Sequence, residues 1–113
     1  LKFAALAALV AALLAPMATA STPTLTATVG PGFTITLKKG VTKVTKLTKG
    51  TYVIKVSDKS NIHNFRLKGP GVNKTTSVGG TGASTWTVTL KPGTYTYVCD
   101  PHATIMKGTF KVS

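Results

Sequence analysis

The sequence predicts an all-β fold, a small sandwich of about seven to eight short strands, and three observations lead there. Short segments rich in β-branched and aromatic residues mostly alternate apolar with polar positions. Clusters of Gly, Pro, Asn and Asp separate them. No stretch after residue 20 repeats with a helical period. Each such sheet has one apolar face to bury, and at this chain length two sheets bury theirs against each other.

The strands are expected at "TLTATV" (24–29), "FTITL" (33–37), "TYVIKV" (51–56), "IHNFRL" (62–67), "STWTVTL" (84–90), "TYTYVC" (94–99) and "GTFKV" (108–112). Period two assigns the faces. Tyr52, Ile54 and Val56 point inward, as do Trp86, Val88 and Leu90, so Trp86 is expected in the core. In the same way His63, Phe65 and Leu67 share one face, and Tyr95, Tyr97 and Cys99 share another. The stretch "VTKVTKLTKG" (41–50) repeats every three residues, which suits neither a regular strand nor a long helix. It reads as a twisted or bulged edge whose lysines discourage edge-to-edge pairing.

Residues 1–20 read as a secretory signal: Lys2 precedes an apolar run, and Ala18-Thr19-Ala20 has the small-residue pattern of a cleavage site. The run is short for a bilayer span, which takes about 20 apolar residues. A retained anchor and a buried N-terminal helix are the alternatives. Cleavage leaves residues 21–113 as a single domain, exported to a periplasmic or extracellular location. Because no second targeting region follows the signal, a bacterial origin is preferred. The formal charge of +12 falls to +11 without Lys2, against only two acids, Asp58 and Asp100. Such a surface attracts acidic partners: nucleic acid, anionic lipid, acidic wall polymers or acidic proteins. The lysines are scattered and Arg66 is the only arginine, which argues against nucleic acid, where several arginines are the usual readers.

The segment "YVCDPHATIMKG" (97–108) concentrates the chemistry. Cys99 is the only cysteine, so an intramolecular disulfide is excluded. Its thiol is an inert core group, a partner in an intermolecular bond, or a metal ligand. His63 alone would be read as a core histidine or a ligand. Taken together, one thiolate, two imidazoles (His63, His102) and a thioether (Met106) make the donor set of a type 1 copper centre, with Met106 as the weak axial donor. The soft thiolate supports Cu(I), and imidazole serves both oxidation states. Cys99, His102 and Met106 can converge because "DP" and "ATI" form a tight loop, while His63 approaches from a neighbouring strand.

The chain after residue 20 resembles a small cupredoxin of the plastocyanin, pseudoazurin and azurin class, from "GPGFTITL" (30–37) to "MKGTFKV" (106–112). The pieces carrying the resemblance are "HNF" (63–65), "GTYTYVCDPH" (93–102) and "MKGTFKV". It implies a cupredoxin-like Greek-key β-sandwich binding one copper ion, Cu(I) or Cu(II), through His63, Cys99, His102 and Met106. It also implies that Asn64 ties the two ligand loops together and hydrogen-bonds near the thiolate, and that Gly30–Gly32 form a scaffold turn. Two features depart from the pattern. The His102–Met106 interval is azurin-like although Cys99–His102 is plastocyanin-like. Asp100 replaces the usual hydroxyl residue next to the cysteine, where a carboxylate would favour Cu(II) if close and shielded. Pro101 and Ala103 flank His102, whose edge the resemblance places near solvent in an apolar patch.

These readings imply a monomeric carrier of single electrons by outer-sphere transfer, with acidic redox proteins as partners and loose association with an anionic membrane or wall as a further role for the charge. The alternative is an extracytoplasmic copper carrier or buffer using the same ligands. Enzymatic activity is not expected: both histidines belong to the metal set, and two acids leave no serine, histidine and acid triad.

Overall fold

The computed structural model describes residues 21–113, so the secretory-signal reading of residues 1–20 lies outside the described residues. Among the described residues ten strands form: β1 (Thr24–Val29), β2 (Ile35–Lys39), β3 (Thr42–Lys43), β4 (Lys46–Leu47), β5 (Gly50–Asp58), β6 (Arg66–Gly69), β7 (Val72–Thr75), β8 (Gly82–Leu90), β9 (Gly93–Val98) and β10 (Lys107–Val112). They make two five-stranded sheets, ordered β3-β2-β1-β5-β8 and β4-β10-β9-β6-β7. The pairs β1–β5 and β4–β10 are parallel and the others antiparallel. No helix among the described residues is long and apolar enough to cross a membrane.

Alternation dictates the core. Leu25, Ala27 and Val29 from β1, Tyr52, Ile54 and Val56 from β5, and Tyr95 and Tyr97 from β9 are buried, whereas their intervening neighbours are exposed or half-buried. Phe65 stacks on Tyr97 with centroids 5.7 Å apart, and Tyr95 stacks on Phe110 at 5.3 Å. The Tyr95 hydroxyl, which cannot be buried unpaired, accepts from Lys91 N–H and donates to the Lys91 carbonyl, each at 2.9 Å.

The strand count exceeds the expected seven or eight because the 41–50 segment yields two short strands and residues 72–75 add a third. The triplet repeat has a physical basis. The segment leaves the edge of one sheet as β3 and joins the edge of the other as β4, burying Val44 and Leu47 between the layers while Val41 remains 94% exposed. Residues 62–65 are loop rather than strand, yet His63 and Phe65 keep their inward direction. Trp86, expected in the core, is only half-buried. It lies on β8, the uncovered edge of its sheet, packing one side against Phe65 at 6.0 Å.

Gly108 pairs directly with Tyr97, whose ring lies across the glycine where a Cβ would stand. Tyr97 is fixed on Phe65 and cannot swing away. Gly108→Ala should therefore cost on the order of 2–3 kcal/mol through overpacking, lowering Tm by roughly 10 °C or more for a domain of this size. An unchanged thermal or urea midpoint would contradict this.

Candidate metal centre

Three loops meet at the end of the sandwich where β1, β5 and β9 finish and β10 begins. After β5, Asp58 Oδ1 accepts the Ser60 N–H at 3.0 Å, and the chain turns into the loop that carries His63. After β9, Cys99 leads into a single 3-10 turn, Asp100–His102, with Pro101 pre-set for its first turn. Backbone bonds then close the loop. Cys99 N–H donates to the Met106 carbonyl at 3.0 Å, and Met106 N–H donates to the His102 carbonyl at 2.8 Å. Cys99 and Met106 are fully buried, and the loop binds them to each other through their backbones.

The third loop is the β1–β2 turn. Gly30 and Gly32 both adopt positive φ, 67° and 73°, a conformation glycine alone takes without cost. The turn brings the Gly32 carbonyl to 2.8 Å from His63 Nε2. A carbonyl can only accept, so Nε2 carries the hydrogen, and Nδ1 of a neutral His63 presents its lone pair on the other side of the ring. That lone pair faces His102 Nδ1 at 3.0 Å and Cys99 Sγ at 3.6 Å, while His102 Nδ1 is 3.6 Å from the same sulfur. The three donors thus converge on one point. The position equidistant from the corners of a 3.0, 3.6, 3.6 Å triangle lies about 2 Å from each, the length of a first-row metal bond to imidazole nitrogen. One buried thiol and two inward imidazole nitrogens at this spacing fit a copper ion in both donor type and size.

The surroundings hold this triangle in place. Asn64 is buried, although strand alternation had put it on the face opposite His63. Its Oδ1 accepts the Asp100 N–H at 2.7 Å, and its Nδ2 donates to Thr75 Oγ1 at 3.0 Å and to Asp100 Oδ2 at 2.7 Å. The Asp100 carboxylate faces Arg66, which donates Nε to both carboxylate oxygens at 2.9–3.0 Å and Nη2 to Oδ2 at 2.9 Å. The Arg66 hydrogen bonds, assisted by Asn64, hold the Asp100 carboxyl below its usual range. Its charge is balanced by Arg66.

The sign of the linkage follows. A depressed carboxylate pKa contributes stability above the unfolded value and loses it as pH falls through the folded one. The pair is partly exposed, so solvent screening keeps its worth small. Arg66→Ala should be slightly less stable than the native protein at pH 7, with the difference closing below the ordinary aspartate range. A gap that persists at pH 2–3 in paired thermal melts would mean that packing, not charge, accounts for it.

Two features of the site have no clear mark in the sequence. The Gly32 carbonyl is a backbone group, and only the glycine-rich turn hinted that the chain approaches something closely there. Phe33 was expected to open a strand. Instead β2 starts at Ile35, and Phe33, 57% exposed, sets its ring edge-on to both imidazoles, with centroids 5.5 Å from His63 and 4.9 Å from His102. His63 and Cys99 are sealed from solvent and His102 is half-buried, so His102 is the one donor of the three that reaches the surface. Pro101 and Ala103 beside it are exposed.

The fold has close counterparts among solved structures. Reduced rusticyanin superposes with a TM-score of 0.61 at 24% identity, covering 83% of this chain and 82% of that one. A second rusticyanin structure gives 0.63 at 21% identity, covering 84% and 80%. Rusticyanin from Thiobacillus ferrooxidans gives 0.58 at 24%, covering 84% and 79%. At these identities the likeness is one of fold. No curated protein sequence matches the chain. The model of the copper binding proteins of the plastocyanin/azurin family matches residues 23–113, the whole sandwich including all three site loops, and the chain therefore belongs to that family.

Proposed function

We propose that the protein is an exported type 1 copper protein that carries single electrons between redox partners. The observation that carries this reading is the convergence of His63 Nδ1, His102 Nδ1 and Cys99 Sγ within 3.0–3.6 Å of one another, with His63 and Cys99 sealed from solvent. His63, Cys99 and His102 would hold the ion, and Met106 would be its weak axial donor. Copper so bound supplies a one-electron couple between Cu(I) and Cu(II). The chain's own part is to position and shield. The Gly32 carbonyl fixes the His63 ring, Asn64 ties the His63 loop to the Cys99 loop, and the half-buried His102 marks the place where a partner comes nearest. Rigid donors favour electron transfer because little needs to rearrange between oxidation states.

The high positive charge supports acidic redox proteins as partners, drawn in by long-range attraction without a tight interface. The carrier or buffer reading uses the same donors and differs in what leaves the site. One experiment separates the two. Purified protein loaded with one equivalent of copper should be blue when oxidised, show a reversible midpoint potential, and exchange electrons quickly with an acidic small cytochrome. That bimolecular rate should fall steeply with salt, since the screening length shrinks to about 3 Å at 1 M. Slow self-exchange together with ready transfer of Cu(I) to a chelating acceptor would favour the carrier. Failure to bind copper at all would sink both.

A further inference from the structure

We propose that the β2–β3–β4 edge of the sandwich is a docking surface for an anionic phospholipid bilayer. The cross-strand register is the first observation. Lys38 stands directly opposite Lys43 in the β2–β3 pair, and Lys46 directly opposite Lys111 in the β4–β10 pair. Like charges at opposed positions destabilise a sheet, because their Cβ atoms are only about 5 Å apart. All four lysines are exposed. No acid in the chain offsets them: Asp58 is buried, and Asp100 is held by Arg66. Any fixed countercharge for this edge has to be supplied by a partner, since the chain's two acids are both committed elsewhere.

The shape of the edge is the second observation. Lys39, Lys43 and Lys46 border one hollow of about 420 Å³, joined there by Thr42 and Thr45, with the buried Val44 and Leu47 beneath. Three ammonium groups and two hydroxyls around a shallow basin suit phosphate oxygens. At the tip of the β2–β3 hairpin, after Gly40 at φ 60°, Val41 is 94% exposed between Lys39 and Lys43. An apolar tip in a lysine collar has no use against a hydrated polyanion. It does suit the boundary between headgroups and acyl chains, where lysine stems lie along apolar material and their ammonium groups reach the phosphates.

Placement is the third observation. Strand β2 begins at Ile35, beside the turn that touches His63, and runs away from it. Lys38 is three residues further along, roughly 10 Å at the usual strand rise. On β10, Lys111 likewise stands at the far end from Met106. A molecule seated on this edge keeps the His102 face turned towards the aqueous phase. The proposal stands on charge and shape alone and does not depend on the copper reading.

The test is co-sedimentation of the purified domain of residues 21–113, which holds the whole sandwich, with vesicles of mixed phosphatidylglycerol and phosphatidylcholine, against vesicles of phosphatidylcholine alone. Binding is expected to the first only, and to be lost at 1 M salt. Each lysine near an anionic surface is worth about five-fold in affinity, so Lys39→Gln, Lys43→Gln and Lys46→Gln together should weaken binding about 100-fold. Lys68→Gln, Lys74→Gln and Lys91→Gln together remove the same charge from the far side of the molecule and should weaken it less than ten-fold. Val41→Ser, which removes the apolar tip without changing charge, should weaken vesicle binding while leaving retention by a DNA oligonucleotide unchanged. Equal losses in the two triple variants would overturn the proposal by showing that only net charge matters. Vesicle binding indifferent to Val41→Ser would overturn it in favour of a general polyanion surface.

Discussion

Cys99→Ser protein titrated with Cu(II) is expected to show none of the intense visible absorption of a copper–thiolate site, whereas Met106→Leu is expected to keep a blue or greenish colour with a shifted potential. The reason lies in what each side chain offers. Cys99 Sγ is fully buried and equidistant, at 3.6 Å, from the two imidazole nitrogens, and a thiolate there donates strong charge transfer to Cu(II) where a thioether does not. Met106 is equally buried, but its backbone bonds to Cys99 and His102 define the loop whichever side chain it carries. Its loss therefore tunes the site and does not empty it. The Cys99 variant should also lose the stabilisation that a tightly bound ion gives the folded state, about 4 kcal/mol when free copper is a thousandfold above Kd. Circular dichroism on each apo-protein separates loss of copper from loss of fold. Equal loss of colour in both variants would contradict the division between equatorial and axial roles.

Most of the fold and the donor set were legible because they depend on rules with short reach. Period two fixed the inward faces of β5 and β9, and the same alternation put Cys99 at the buried end of its strand beside Tyr97. What escaped depends on contacts made at a distance. The three-residue repeat of 41–50 reflects a chain crossing between sheets, which is defined only once both sheets exist. Trp86 is half-buried because β8 is an edge strand, and edge position is a property of topology, not of composition. Asn64 is buried against alternation because its partners, Asp100 and Thr75, stand 36 and 11 residues away and pull the loop inward; the family resemblance, not the alternation, marked it as the tie between the loops. Phe33 and the Gly32 carbonyl belong to a turn whose glycines announced an unusual backbone without saying what lay against it.

Asn64→Ala is expected to cost about 2–4 kcal/mol, because it removes three hydrogen bonds in a buried setting at once. The Asp100 N–H loses its acceptor at the neck of the loop that carries Cys99, His102 and Met106, so faster hydrogen exchange at that amide should accompany the lower urea midpoint. Asn64→Asp separates the two halves of the role. It keeps an acceptor for the Asp100 N–H but replaces the Nδ2 donor with a carboxylate oxygen facing Asp100 Oδ2, now 2.7 Å from the amide. Two carboxylates at that distance cannot both ionise without penalty. At neutral pH Asn64→Asp should therefore be no more stable than Asn64→Ala. As pH falls, one carboxyl takes up a proton, which then bridges the pair, and Asn64→Asp should regain stability relative to Asn64→Ala. Urea midpoints for both variants across pH 4–8 test this. If Asn64→Asp already matches the native protein at pH 7, the link that joins the two ligand loops runs through the Asp100 amide alone, and its carboxylate serves only Arg66.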